Sequence, residues 1–96
     1  MRFNRAVERR SVLMAELSAR EMGYVDLEAA LALAGLYAAE ESPKFDKAAT
    51  RLLARLALER PLRLSELQIA AAALADLPND PNRAAIVLQL VRRRPT

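Results

Sequence analysis

The segment LEAALALAGLYAAEE, residues 27–41, constrains the fold more than any other part of this chain. It follows Asp26, a residue type that favours helix starts, and its leucines and alanines occupy every side of the helix that it predicts. A helix that is apolar all round is normally buried on several sides. Its uncharged run, 29–39, has eleven residues, well short of the roughly 20 that span a bilayer. We therefore expect this helix to be covered on several sides, by other segments of the chain or by another protein.

Start and stop signals divide the rest of the chain into four further helices. β-branched residues nowhere alternate with polar ones, which argues against strands. We predict one all-α domain over residues 1–96, a compact bundle of about five short antiparallel helices joined by turns with Pro, Ser and Asp caps. The predicted elements are a basic N-terminal helix over about 4–22 that Gly23 ends, and two helical hairpins over about 26–60 and 65–93. Their further start and stop residues are Asp26, Ser42, Pro61, Ser65 with Gln68 as a capping box, Pro78, Asp80 and Pro95.

The predicted fourth helix, ELQIAAAALADL, also carries apolar residues on opposite sides. Five short helices can surround one such element but hardly two, so we expect an extra apolar face that a second copy or a helical protein partner covers. A two-fold dimer is the simplest case. Gly35, in the middle of the second helix, costs about 1 kcal/mol relative to alanine, and close approach by another helix would offset this; simple tolerance is the alternative. The residues predicted for this interface are Leu27, Leu31, Gly35, Ala38, Ile69, Ala72 and Ala73.

Four cations follow one side of the predicted third helix, within an arc of about 80°. They are Lys44, Lys47, Arg51 and Arg55, at steps of three, four and four residues. Residues 44–63 carry six bases against two acids, whereas residues 21–43 carry five acids and no base. Two interpretations stay open. Acidic residues of neighbouring helices in the same molecule could neutralise these cations, or the strip could contact an acidic partner or phosphate groups.

The chain lacks the residues of the common catalytic and metal sites. It has no cysteine and no histidine, which excludes thiolate nucleophiles, imidazole bases and the best zinc ligands. Only two glycines are present, and no phosphate-binding glycine loop. We interpret the adjacent Glu40 and Glu41 as favourable charges near the start of the next helix, not as an acid–base pair. We therefore expect no enzyme activity, no cofactor, no metal and no small-molecule substrate.

Nucleic-acid binding is the alternative function, because arginine supplies thirteen of the fifteen cations. Arginine binds phosphate with paired hydrogen bonds. Beside the strip on the third helix, the candidate phosphate contacts are Arg2, Arg5 and Arg9, and the terminal Arg92, Arg93 and Arg94. The connection LPNDPN lacks the glycine-containing tight turn of a helix–turn–helix, and the fifth helix has few side chains that could read bases. This alternative therefore predicts phosphate contacts without base reading.

The stretch 26–60 resembles small uncharacterised all-helical proteins of GC-rich actinobacteria. In those proteins a pattern like (S/D)P-K/R-aromatic-acid-R/K-A-A-x-R-W-L-x-R-L recurs. SPKFDKAATRLLARL fits this pattern at most positions, and Leu52 stands where the relatives often carry tryptophan. Because the relatives have no assigned activity, the resemblance implies an all-helical fold and no particular chemistry.

These observations together predict a helical protein–protein interaction or self-association module. Arginines near the N-terminus are followed by Glu8 and Glu16 and by no apolar signal-peptide core, so we expect a cytoplasmic protein without membrane association.

Overall fold

A computed structural model describes residues 11–93, which form five α-helices and no strand. The predicted all-α fold class is confirmed. The helices are α1 (Val12–Met22), α2 (Leu27–Ala39), α3 (Phe45–Glu59), α4 (Leu64–Asp76) and α5 (Ala84–Val91), with a 3-10 turn at Pro81–Arg83 before α5.

The first described helix begins later than the sequence predicts. Ser11 has an extended backbone (φ −94°, ψ 96°), and its Oγ accepts a hydrogen bond from the backbone N–H of Met14 at 3.3 Å. This is N-capping geometry, so one continuous helix over 4–22 is wrong. The part of that prediction before Ser11 lies outside the described residues. At the other end Gly23 has a φ of +74° and ends α1 as predicted.

The start of α2 follows the prediction, but α3 starts later than expected. Asp26 caps α2, since its carboxylate accepts from the backbone N–H of Ala29 at 2.8 Å. Ser42 instead forms a turn: its Oγ accepts from the N–H of Lys44 at 3.2 Å and its carbonyl accepts from the N–H of Phe45 at 3.1 Å. Helix α3 begins only after this turn. It ends at Glu59, two residues before Pro61, as the proline predicts.

The predicted caps of α4 and α5 need two corrections. Helix α4 starts before Ser65, with Arg63 at the N-cap, and Glu66 instead of Gln68 accepts from the backbone N–H of Arg63 at 2.9 Å. The capping-box spacing is therefore met two residues earlier than predicted. Asp80 does act as a cap, accepting from the N–H of Asn82 at 3.0 Å, but what it starts is the 3-10 turn. Helix α5 ends at Val91 instead of near Arg93.

Helix α2 lies at the centre of the described fold, in contact with α1, α3 and α5, while α4 packs against α3 and α5. The main core is formed mostly by leucines, alanines and valines from α2, α3, α4 and α5, together with Tyr37 and Phe45. A smaller cluster holds α1 through Ala15, Ala19 and Leu36. The largest fully buried side chains are Leu27, Leu52, Leu56, Val87 and Val91.

Candidate functional site: a basic groove along α3

A groove of about 650 Å³ runs along α3, opposite α1 and α2. Its α3 wall extends from Lys44 to Arg55, which corresponds to about 16 Å, or three helical turns. The opposite wall consists of Glu16 from α1, Val25 from the following loop, and Ala30, Leu33 and Tyr37 from α2. All four cations of the predicted strip border this groove, so the structure places a row of positive charges beside an apolar floor.

The cation at the first end of the strip is paired within the molecule. Lys44 Nζ donates to Glu16 Oε2 at 2.7 Å, and the same oxygen accepts from the hydroxyl of Tyr37 at 2.7 Å. The hydrogen bond from Lys44 and then that from Tyr37 lower the pKa of Glu16. Burial of the phenol, together with the charge of Glu16, raises the pKa of Tyr37 to about 12. One carboxylate thus ties α1 to both α2 and α3.

The cation at the other end is also satisfied by its own chain. Arg55 Nε donates to Glu59 at 2.8 Å, and its other nitrogens donate to the carbonyl of Val25 at 2.7 Å and to the hydroxyl of Tyr24 at 3.0 Å. Its guanidinium also lies 5.4 Å from the centre of the Tyr24 ring. The hydrogen bond between Arg55 and Glu59 raises the pKa of Arg55 and lowers that of Glu59. Arg55 therefore anchors the α1–α2 loop to α3.

The two central cations differ from those at the ends. Lys47 and Arg51 are exposed, and neither forms a hydrogen bond or an ion pair with any part of residues 11–93. They stand four residues apart on α3, a spacing that places their Cβ atoms about 6 Å from each other. The strip predicted from the sequence is thus divided into two paired ends and an unpaired centre.

An exposed leucine continues the unpaired side of α3. Leu58 lies seven residues after Arg51 and eleven after Lys47, within about 20° of each around the helix axis. Its exposed fraction is 87%, the highest among the large hydrophobic residues of the described part. Leu58 is not among the residues predicted from the sequence. The signal was present, since a leucine at this spacing breaks the polar side of an otherwise amphipathic helix.

Helix α1 adds exposed apolar surface beside the groove. Leu13 and Leu17 are exposed and stand on the same face of α1 as Glu16, at the i, i+3, i+4 spacing. This face is continuous with the wall to which Glu16 contributes. The fully buried residues of α1 are the small Ala15, Ser18 and Ala19, and Val12 and Met22 pack partly buried beside them.

The residues predicted for an outside interface separate into two groups. Leu27, Leu31, Ala38 and Ala73 lie in the chain's own core, so they present no outside surface and the prediction is corrected at these positions. Ile69 and Ala72 are exposed on α4. Gly35 is half-buried, and a Cβ placed on it would meet no atom within 4 Å, so none of the other helices in residues 11–93 approaches it closely.

A second groove of about 650 Å³ lies on the opposite side of α2, between α2 and α5, and Gly35 lines it. Its two carboxylates are engaged. Asp26 caps α2, and Glu28 accepts two hydrogen bonds from Arg92, at 2.7 and 3.0 Å. This groove therefore has no unpaired charge among its described lining residues that could select a ligand.

The terminal cations predicted for phosphate contact are mostly paired as well. Besides the pair between Arg92 and Glu28, Arg93 donates to Glu66. The hydrogen bond from the backbone N–H of Arg63 lowers the pKa of Glu66 most, and the hydrogen bond from Arg93 lowers it further. Arg94 lies outside the described residues, as do Arg2, Arg5 and Arg9. The acidic and basic blocks of the sequence thus meet in space at several points.

The interior of the described part indicates no hidden polar site. Every buried side-chain nitrogen or oxygen within it has a hydrogen-bond partner, and no three metal-ligating side chains come together there. Of its helices, none combines the length and apolar character needed to cross a membrane. The candidate site is therefore the basic groove and its exposed surroundings.

Comparisons of the chain with protein-family models, with curated proteins and with solved structures gave no match. The resemblance to small actinobacterial helical proteins stays a prediction.

Proposed function

We propose that this chain is a non-enzymatic helical interaction module whose basic groove binds an acidic, amphipathic helix of a protein partner. The observation that carries the proposal is the unpaired centre of the strip. Lys47 and Arg51 have no partner among residues 11–93, although each cation at the two ends of the strip has one. Two cations on the rim of an apolar groove favour a ligand that combines carboxylates with an apolar face.

The dimensions of the groove support a helical ligand. It follows α3 for about three turns, and helix-in-groove recognition uses anchors at i, i+3, i+4 and i+7 over a comparable length. Ala30 and Leu33 from α2 and Ala48 from α3 form the apolar floor between the two helices, and Leu58 lies beyond the groove on the side of α3 that carries Lys47 and Arg51. An acidic helix could therefore bury apolar side chains on the floor while its carboxylates meet Lys47 and Arg51.

The pairing of the cations argues for a protein partner over nucleic acid. Of the predicted phosphate contacts that lie in the described part, Lys44, Arg55, Arg92 and Arg93 form ion pairs with carboxylates of this chain. Only Lys47 and Arg51 of this described set remain free to contact phosphate. The steep salt dependence of nucleic-acid binding, in contrast, comes from neutralising many phosphates at once. Phosphate binding would also leave the apolar floor without a role.

The direct test measures binding of a labelled helical peptide, rich in alanine and leucine, that carries two glutamates one turn apart. Fluorescence anisotropy at low salt should show binding by the wild type. Affinity should fall about tenfold in the double variant Lys47→Gln, Arg51→Gln, because exposed ion pairs contribute up to about fivefold each. The matched control, Arg63→Gln with Arg83→Gln, removes the same charge elsewhere and should change the affinity less than about twofold. Equal losses of affinity in both variants would mean that net charge alone determines binding, and would contradict binding of the peptide in the groove.

A second pair of variants tests the apolar part of the site. Leu58→Ser should weaken peptide binding, whereas Leu64→Ser, at a residue that is 75% exposed on α4, should not. Random-sequence duplex DNA is the remaining probe. Duplex binding that falls steeply with salt, together with no peptide binding, would favour the nucleic-acid alternative.

A further inference from the structure

The chain's own carboxylates occupy the two ends of the strip in different ways. Glu59 belongs to α3 itself and pairs with Arg55 one turn earlier. Glu16 comes from α1, across the groove, and reaches Lys44 from the side on which a ligand would bind. Its side chain is 20% exposed, and one of its oxygens accepts from both Lys44 and Tyr37. Glu16 thus stands where a carboxylate of a bound acidic helix would meet Lys44.

We propose that Glu16 is a specificity-determining residue of the basic groove. Its carboxylate takes the place of a ligand carboxylate at Lys44, and it thereby restricts the groove to ligands whose acidic residues stand one helical turn apart. This inference rests on the proposed function, since it concerns which acidic helix the same groove accepts.

The spacing of the cations defines the two ligand patterns. Lys47 and Arg51 are four residues apart, which matches glutamates at i and i+4 on a ligand helix lying along α3. Lys44 and Arg51 are seven residues apart, about 10.5 Å along a helix, which matches glutamates at i and i+7. Because Glu16 already forms an ion pair with Lys44, a ligand carboxylate at the i+7 position would meet a neutralised cation and the negative charge of Glu16. The wild-type groove therefore selects the shorter spacing.

A conservative variant separates selectivity from folding. Glu16→Gln keeps the shape of the side chain and an oxygen that can accept from Tyr37, but it releases the charge of Lys44. The packing of α1 through Ala15, Ala19 and Leu36 does not involve the Glu16 carboxylate. Circular dichroism and thermal unfolding establish that the variant keeps its fold before any binding is compared.

The experiment measures the affinity of two labelled helical peptides of equal charge, one with glutamates at i, i+4 and one at i, i+7. Wild type should prefer the i, i+4 peptide by about threefold, within the range of one exposed ion pair. Glu16→Gln should raise the affinity for the i, i+7 peptide by about three- to fivefold and leave the i, i+4 affinity nearly unchanged. The double variant Glu16→Gln, Lys44→Gln should lose this gain.

Two comparisons make the outcome decisive. Glu28→Gln makes the same change of net charge on the opposite groove, and it should leave the spacing preference unaltered. Equal improvement of both peptides in Glu16→Gln, or no improvement of either, overturns the role of Glu16 while the proposed function stands. If wild type binds neither peptide, the proposed function itself is wrong.

Discussion

Helices α2 and α4 have similar compositions and different positions. Both are rich in alanine and leucine, and both carry apolar residues on opposite sides. Helix α2 contacts three helices of the described fold and buries residues on several sides, among them Leu27, Leu36 and Ala38. Helix α4 packs against two, and it leaves Leu64 and Ile69 exposed. Apolar composition makes a helix suitable for burial, but the number of neighbours decides whether it is buried.

In a bundle of five short helices, one helix can be surrounded by its neighbours, and in this fold that helix is α2. Helix α3 has a clearly divided surface, with Phe45, Ala49, Leu52 and Leu56 buried and its cations on the other side. Such a helix can cover only one side of a neighbour. Helix α4 therefore closes the bundle against α3 and α5 and keeps a face that this chain does not cover in its described part.

The largest difference between α2 and α4 should appear in stability. Leu31→Ala removes a side chain of α2 that is 5% exposed, and we expect a loss of about 2–5 kcal/mol in the free energy of unfolding. Leu64→Ala, the same change at a residue of α4 that is 75% exposed, should cost less than about 0.5 kcal/mol. Urea denaturation followed by circular dichroism measures both values. Similar losses would mean that α4 is as central as α2.

The polar contact of α2 gives the next largest effect. Tyr37 donates to the charged carboxylate of Glu16, and Tyr37→Phe should lower the free energy of unfolding by about 1.5 kcal/mol at neutral pH. Leu36→Met, which stays apolar in the α1 contact, is the comparison and should cost less than about 1.5 kcal/mol. No loss in Tyr37→Phe would show that this hydrogen bond does not hold α1 against α2.

The pH dependence of stability should report Glu16 on the acidic side and Tyr37, whose pKa is raised first by burial and then by Glu16, on the alkaline side. The fold lowers the pKa of Glu16, so its contribution is present at neutral pH and is lost as the pH falls through the lowered value. The fold raises the pKa of Tyr37 to about 12, so its contribution is present below the ordinary phenol pKa of about 10 and is lost as the pH rises toward 12. Tyr37→Phe should flatten the alkaline decline, which unfolding measured between pH 9 and 12 would detect.

Features that depend on neighbouring residues in the chain were predicted well. Asp26, Gly23 and Pro61 bound the helices as expected, because caps and stops act within one turn. The exceptions are the starts of α1, α3 and α4: Ser11 caps α1, Ser42 forms a turn before α3, and Glu66 takes the capping-box role that was predicted for Gln68. The pair between Arg55 and Glu59 follows from its i, i+4 spacing.

Features that depend on packing were not predictable from the sequence. The contact between Lys44 and Glu16 joins residues 28 apart in sequence, and Arg92 meets Glu28 across 64 residues. The charge blocks left open whether acidic and basic segments meet, and only the packing shows which cations pair within the molecule. The placement of α2 inside and α4 at the edge likewise depends on three-dimensional neighbours.

Gly35 tests whether the open side of α2 is used. Because a Cβ at Gly35 would meet no atom of the other described helices within 4 Å, Gly35→Ala should raise the free energy of unfolding by about 0.5–1 kcal/mol through helix propensity alone. Thermal unfolding at low protein concentration measures this gain. If another helix approaches Gly35 closely in an assembly, the same variant should instead weaken self-association at high concentration. A loss of stability at low concentration would contradict the open space at Gly35.

A substitution at Ile69 should change stability least among these variants, but it should affect self-association most. Ile69 is 53% exposed on α4 beside Ala72, so Ile69→Ser should alter the free energy of unfolding by no more than about 0.5 kcal/mol. If a second copy covers this face, the wild-type mass measured by light scattering should rise with concentration from 10.6 kDa toward twice that value. Ile69→Ser should then remain at the lower mass, whereas Leu58→Ser, on the basic side of α3, should associate like wild type.

A wild type that stays at 10.6 kDa at millimolar concentration would leave the exposed face of α4 as ordinary apolar surface, since single exposed hydrophobic residues are common on monomers. The basic groove on α3 would then be the remaining candidate for a partner.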